Sequence, residues 1–549
     1  MQTTRMIGRQ DKDTDGIEPE SSANFFTGTE SQEEEETGTK RDLSAKLPII
    51  SVLFTVFLLL FLGFSSIQRL SDSSVTYSTA KHGSWGIFDI EHEDHKPILG
   101  IKLHPEDHEN RPARTITYRW TISSDYRSPD GVKKKVYLVN EQFPGPTIEC
   151  RSGDRLIVHV TNKLNAESLS VHWHGLHMRN ANSMDGAAGI TQCPIPEGTT
   201  FTYDFKVEEN QSGTFWWHAH SQVQRGDGMY GGLVVHKPSE KIVDVDELDY
   251  DQDMLLMVGD WYHRPAEEVL SWYMSSRGFG NKPVPDSLLI NGAGRFQCSM
   301  AVPARPVDCR QTKATEMLSI LREHSSTRLR VVNTCSLAGL SLGISSGTLN
   351  PLTLDGGYRI DGQPSSSIGI LYPGERVDII FEPKKSTDHL GTELFINMDT
   401  ENFRFPNFAL CPNQTSPLLI KKQIENMVDS SVIFDYSSSF DLSSAVSIAS
   451  NEKTLQVPEK VNQTILLYTK TEKLSINSNI PMGFINRTSW SPQKTPRLPL
   501  ISLPRKQWDE NQLIPHIGTH EASYRWVSKT SSSLYLTIYI GGNWYFFAK

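Results

Sequence analysis

The sequence predicts an all-β chain of successive sandwiches, preceded by one membrane-spanning helix. Three observations predict this. Short runs of β-branched and aromatic residues, separated by Gly/Pro turns, recur through residues 114–238 and 247–427, the texture of sandwich strands. At about 100–200 residues per domain, 549 residues allow three folded units plus extras. The stretch Leu47–Ile67 is uncharged and strongly apolar, and about 20 such residues cross a bilayer core as a helix.

The elements follow in order. Residues 1–46 hold the acidic run Glu33–Glu36 among Ser, Thr and Gly. They predict a disordered tail, because so few apolar side chains cannot offset the entropy of ordering. Lys40, Arg41 and Lys46 precede the apolar stretch, whereas Arg69 and Asp72 follow it. That basic excess predicts a cytoplasmic N-terminus and an uncleaved signal-anchor over 47–67. A cleaved signal peptide is the competing reading; it usually lies closer to the N-terminus and has a shorter apolar core. Residues 68–113 are polar and predict a stalk. The first sandwich, 114–238, carries the runs Tyr118–Ile122, Lys135–Val139 and Arg155–Val160, with breaks at Ser128–Gly131 and Phe143–Thr147. The second, 247–427, carries Met254–Val258, Ser287–Asn291, Arg328–Asn333 and Glu375–Phe381. A Ser-rich linker is expected over 428–463, and a third, partial unit over 464–549, opening with Thr464–Tyr468.

Composition narrows the function. A net charge of −10 gives no reason to expect a nucleic-acid partner. All six cysteines and the four N-glycosylation acceptors Asn210, Asn413, Asn462 and Asn486 follow the apolar stretch. This suits domains outside the cytoplasm, extracellular or lumenal, where disulfides persist. No CxxC or CxxH spacing occurs, so zinc-finger readings drop out.

The chemistry lies in two histidine pairs, His172-Trp173-His174 and Trp217-His218-Ala219-His220. Alternate side chains of a strand share a face, so each pair aims two imidazoles one way, and two pairs can converge. Neutral imidazole suits copper, zinc, iron or nickel. A lone pair of this kind is usually two ordinary strand histidines; two pairs, each with its own Gly context, are not. His159 and His177 read as strand or surface histidines, and Asp227 before Gly228 as turn chemistry.

The flanks extend the signal. Asn140–Ile148, Gly153-Asp154, Gln192–Ile195, Gly259–His263, Ile290–Gly292, Asn486–Trp490 and Trp508–Gln512, with the two histidine pairs, resemble the multicopper oxidases, the superfamily of laccases and ferroxidases. The resemblance implies tandem cupredoxin-like β-sandwiches, three in the family. It also implies copper: His172 would hold a type-2 ion, and His174, His218 and His220 a type-3 pair. Electrons would come one at a time from a small-molecule reductant, a phenol or Fe(II), and O2 would be reduced to water. Asp185, in Met184-Asp185-Gly186, matches the acidic residue that the family places beside the cluster, where it relays protons; a turn aspartate is the other reading. The Asp260 position separates the two reductants: ferroxidases tend to carry Glu there, so Asp leans towards a phenol.

One departure stands out. The family's third-domain signatures HPxHxHG and HCHxxxH, which supply the type-1 ligands and half of the cluster, do not occur, and no cysteine follows Cys411. His516 and His520 are not spaced like them. The expectation is therefore a third sandwich cut short and a chain inactive by itself. The alternative is a catalytically inactive copper-binding glycoprotein, or an interaction module.

Overall fold

The structure is a computed structural model that describes residues 100–239, 250–312, 325–384, 392–417, 438–448, 463–512, 524–530, 536–540 and 543–547. The expected tail, the Leu47–Ile67 span and most of the expected stalk lie outside the described residues. Among the described residues no helix is long and apolar enough to cross a membrane.

Nine strands come first: β1 (Ile101–Lys102), β2 (Thr115–Arg127), β3 (Lys134–Val139), β4 (Ile148–Arg151), β5 (Arg155–Asn162), β6 (Val171–His174), β7 (Thr200–Lys206), β8 (Gly213–Ala219) and β9 (Tyr230–His236). Eight of them form the first sandwich, as two four-stranded sheets ordered β3-β2-β5-β7 and β4-β9-β8-β6. Period-two alternation builds its core. Leu156, Val158 and Val160 of β5 face inward, against Trp120, Trp173, Phe215 and Trp217. By contrast β8 and β9 are buried along their whole length, because their outer face is covered as well.

The second sandwich supplies that cover. Its strands are β10 (Gln252–Trp261), β11 (Ser287–Ile290), β12 (Ala293–Gly294), β13 (Thr327–Asn333), β14 (Leu340–Ile344), β15 (Thr348–Leu354), β16 (Tyr358–Arg359), β17 (Ser367–Leu371), β18 (Arg376–Glu382), β19 (Glu393–Met398), β20 (Asn413–Pro417) and β21 (Ser439–Asp441). One sheet runs β12-β11-β10-β13-β18-β15-β16 and the other β20-β19-β14-β17-β21. Met254, Leu256 and Val258 of β10 enter its own core. Leu255 and Met257 turn the other way, onto Trp216, Tyr230 and Val234 of the first sandwich. A strand buried on both faces reads as a continuous apolar run, as Met254–Val258 does. Polar groups also cross the seam. Lys134 Nζ, paired with Asp227 Oδ1 of its own sandwich at 2.7 Å, donates across to Tyr262 O at 2.6 Å. Arg330, held by Asp253 of its own sheet through two bonds of 2.7 Å, donates across to Thr214 Oγ1 of β8 at 3.2 Å.

Two boundaries move. The expected stalk, 68–113, gives way from residue 100 to an ordered arm. In it β1 pairs with β10, and a short helix, α1 (Glu106–Glu109), buries His108. The expected linker, 428–463, gives up β21, which pairs in parallel with β17, and Leu442, which joins the second core. Strands of two or three residues carry no period that sequence could show. The third unit contains β22 (Gln463–Lys473), β23 (Pro481–Ile485) and β24 (Tyr524–Thr530) in one sheet, and β25 (Leu536–Ile540) paired with β26 (Asn543–Phe547). It meets the first sandwich where Leu500 N and Ile501 N donate to Gly189 O and Ile190 O at 3.2 and 3.0 Å. Cys298 and Cys309 form a disulfide.

Candidate metal centre

Among the described residues β6 is an edge strand, paired only with β8. Their register sets His172 opposite His218, Trp173 opposite Trp217 and His174 opposite Trp216. Parity then sorts the faces. Trp173 and Trp217 enter the first core, with ring centres 5.9 and 4.5 Å from that of Trp120. His172, His174 and His218 share the opposite face, with one potential donor atom from each lying within 4.8 Å of the others. His220 follows just past the strand end. Its ring centre lies 5.3 Å from that of His172 and 5.9 Å from that of His218. All four expected ligands are thus together, with His172 in the middle.

Hydrogen bonds set two of the tautomers. His172 Nδ1 donates to Asp185 O at 2.7 Å, and His218 Nδ1 to Ala219 O at 2.8 Å. A carbonyl only accepts, so each of these protons sits on Nδ1 and each neutral ring keeps a lone pair on Nε2. His174 Nδ1 lies 3.2 Å from His218 Nε2. Burial pushes the pKa values of His174 and His218 well down, with charges from Arg376 and His172 respectively adding next. His220, though partly open to solvent, is pushed to about 4 by desolvation first and by His172 next. For His172 burial acts downward, but the charge and hydrogen bonds of Asp185 outweigh it and raise the pKa. Buried neutral nitrogen donors with outer hydrogen bonds already in place are what a d-block ion requires, so the residues present fit copper.

Asp185 is fully buried, with Oδ1 3.4 Å from His172 Nδ1. Its loop covers the free edge of β6: Trp173 Nε1 donates to Met184 O at 3.1 Å, while His172 holds Asp185 O. Gly186 lets the loop come this close. Its φ is +88°, and a Cβ there would fall 1.8 Å from Val171 O and 2.9 Å from His172 Cα.

Four residues near the cluster were not singled out for these roles by sequence. Trp216 lies between His174 and His218, with ring centres 5.0 and 4.3 Å away; strand parity could have placed it there. Arg225 donates to Cys335 O at 3.2 Å and lies 5.7 Å from the Trp216 ring. Arg376, from the second sandwich, donates to Thr214 O and Gly374 O. Asp227 is more than a turn residue: it pairs with Lys134 and accepts the Ala266 N–H, at 3.0 and 2.9 Å to its two oxygens. His159 and His177 are held elsewhere, by Thr202 and Glu208.

Glu375, next to Arg376, gives a pH-dependent stability. Burial first, then the Asp355 carboxylate, raise its pKa from 4.5 to about 7, against the Tyr372 N–H and Arg376. Below 4.5 both folded and unfolded states hold the proton. Between 4.5 and about 7 the unfolded chain ionises first, so ionisation opposes folding across that window. Glu375→Gln is therefore expected to leave stability unchanged at the acid end and to raise it by on the order of 1–2 kcal/mol above the window. Thermal midpoints of the two proteins across this pH range check the sign.

Comparison with known proteins agrees with this geometry. Residues 121–240 match one family model described as multicopper oxidase, and residues 252–390 match another of the same description. The chain belongs to the multicopper oxidase superfamily. Among multicopper oxidases, Laccase-1 of Cryptococcus neoformans var. grubii is 36% identical over 288 residues, covering 50% of this chain and 43% of the laccase. The L-ascorbate oxidase of Nicotiana tabacum is 36% identical over 279 residues, covering 49% of this chain and 46% of that protein. The chain thus spans under half the length of these relatives. The crystal structure of Fet3p, a multicopper oxidase that functions in iron import, aligns with a TM-score of 0.56 at 25% identity, covering 69% of this chain and 65% of that one. The fold is mostly β and cupredoxin-like, with few helices, and membership of the superfamily implies copper.

Proposed function

We propose that this chain supplies the copper-binding first sandwich of a membrane-anchored oxidase that takes electrons from a phenolic or similar small molecule and passes them to O2. The observation that carries the reading is the convergence of His172, His174, His218 and His220 on one face of β6 and β8, two of them with fixed tautomers. Copper, when bound, supplies one-electron redox chemistry between the reductant and O2. His172 would hold the type-2 ion, and the other three histidines the type-3 pair. Asp185 holds His172 in the tautomer that keeps the lone pair on Nε2, and keeps beside it a carboxylate that can carry a proton. Fe(II) is the weaker reading of the reductant. Both oxygens of Asp260 are taken by backbone, accepting from Ser336 N at 2.7 Å, Leu337 N at 2.8 Å and Ala338 N at 3.1 Å. The Leu47–Ile67 span would anchor the protein with its sandwiches outside the cytoplasm. Exposure of Asn210, Asn413 and Asn486 accords with glycosylation there; Asn462 lies outside the described residues.

The test is copper content and oxygen uptake of the detergent-extracted protein. The 549-residue polypeptide is expected to keep copper through dialysis. It is expected to show neither the intense absorption of a copper–thiolate site nor sustained phenol-driven oxygen uptake, because no cysteine follows Cys411. Failure to retain copper would overturn the copper reading. Steady oxygen uptake would overturn the expectation that this polypeptide is inactive by itself. Fused to a third sandwich that carries the Cys and His ligands, it is expected to oxidise a phenol in preference to Fe(II).

A further inference from the structure

A second group of metal-type donors lies on the outer face of the first sandwich, apart from the histidine cluster. β4 and β9 run in parallel, with Glu149 opposite Val234 and Arg151 opposite His236. Cys150 and Val235 enter the core, so by parity Glu149 and His236 leave it on the same side, diagonal to each other. His108 reaches them from α1 of the arm. One donor atom from each of the three lies within 4.8 Å of the others. His108 is 7% exposed and His236 1%.

An ordinary His–Glu hydrogen bond does not account for all of this. His236 Nε2 donates to Glu149 Oε2 at 2.9 Å, and the same oxygen accepts the His104 N–H at 2.8 Å. His236 Nδ1 is buried without a hydrogen-bond partner among the described residues, which leaves its desolvation uncompensated. The His108 and His236 ring centres lie 4.9 Å apart, with planes 17° from parallel. Two imidazoles bound at about 2.0–2.1 Å to one tetrahedral ion would hold their centres about 5 Å apart. Two neutral imidazoles and one carboxylate form a donor set for a borderline divalent ion.

We propose that His108, Glu149 and His236 bind one divalent ion of the zinc class, which fastens the arm to the first sandwich. The ion takes one ring nitrogen of each histidine and one oxygen of Glu149, and the proton it displaces passes to solvent. Arg111 donates to His108 Nδ1 at 3.0 Å, but it is anchored independently by both oxygens of Asp154, at 2.8 and 2.5 Å. His108 can therefore exchange that bond for the ion. A cavity of about 1120 Å³ bordering His236, Glu109 and Asp253 leaves room for water as a fourth ligand. Because β1 of the same arm pairs with β10, the ion sits where the arm ties the first sandwich to the second.

The probe is Zn(II) alone, titrated into the full chain carrying His174→Ala and His218→Ala so that the first cluster cannot compete. About one zinc per chain is expected, together with slower tryptic cleavage of the arm at Lys102 and Arg114 when zinc is present. Glu149→Gln keeps the shape and can still accept the His104 N–H, but loses the charge. It is expected to weaken zinc binding by about tenfold or more and to abolish the protection. His108→Gln, which lies on the arm outside the sandwich core, gives the same comparison should Glu149→Gln not fold. Absence of stoichiometric zinc, or equal affinity and protection in the folded variants, would overturn the site.

Discussion

Replacing His218 by alanine is expected to strip the first sandwich of most of its copper, with affinity falling by at least about a hundredfold. His218 lies directly opposite His172 in the strand register, and its Nε2 is 3.2 Å from His174 Nδ1. Its ring is fixed by Nδ1 donating to Ala219 O and by the adjacent Trp216. Alanine removes a donor that no neighbour on β8 can replace, since Trp217 and Ala219 face the core. His159→Ala is the matched control, because among the described residues that half-exposed ring bonds only to Thr202 on the neighbouring strand. Chelator competition with copper quantified per chain reads the difference. Equal affinity in His218→Ala and His159→Ala would show that copper lies elsewhere.

That contrast between two strand histidines shows what sequence carries and what it does not. The spacing His172-Trp173-His174 and His218-Ala219-His220 encodes facing through strand parity, so the convergence of the imidazoles was legible before any coordinates. The same parity places Trp216 among the histidines. Arg376, by contrast, reaches the site only because the second sandwich docks on β8, and no local pattern around Glu375-Arg376-Val377 reports that docking. Asp260 looked like a choice between two reductants. In the fold its carboxylate is a clamp on the 336–338 backbone, set by a loop about 76 residues downstream. The arm was legible only as polar chain, because β1 has two residues and α1 four. Periodicity needs more length than that, so His108 could not be connected in advance with Glu149 and His236.

Gly186→Ala is expected to be the most damaging single-methyl change near the site, lowering stability by on the order of 3–5 kcal/mol and the unfolding midpoint by on the order of 10 °C. Two penalties combine. The φ of +88° disfavours any L side chain, and the new Cβ would fall 1.8 Å from Val171 O. A side chain could swing away, but a strand carbonyl cannot, so either the loop or β6 must move. Movement of the loop withdraws Asp185 O from His172 Nδ1; movement of β6 displaces His172 and His174 themselves. Either way copper affinity should fall together with stability. Gly198→Ala separates the penalties: its φ is +73°, and nothing lies within 4 Å of a Cβ built there, so only the conformational term of about 1 kcal/mol remains. Unfolding midpoints and copper titrations of both variants make the comparison. If Gly186→Ala unfolds and binds copper as Gly198→Ala does, the close approach of this loop to β6 is not what holds His172 in place.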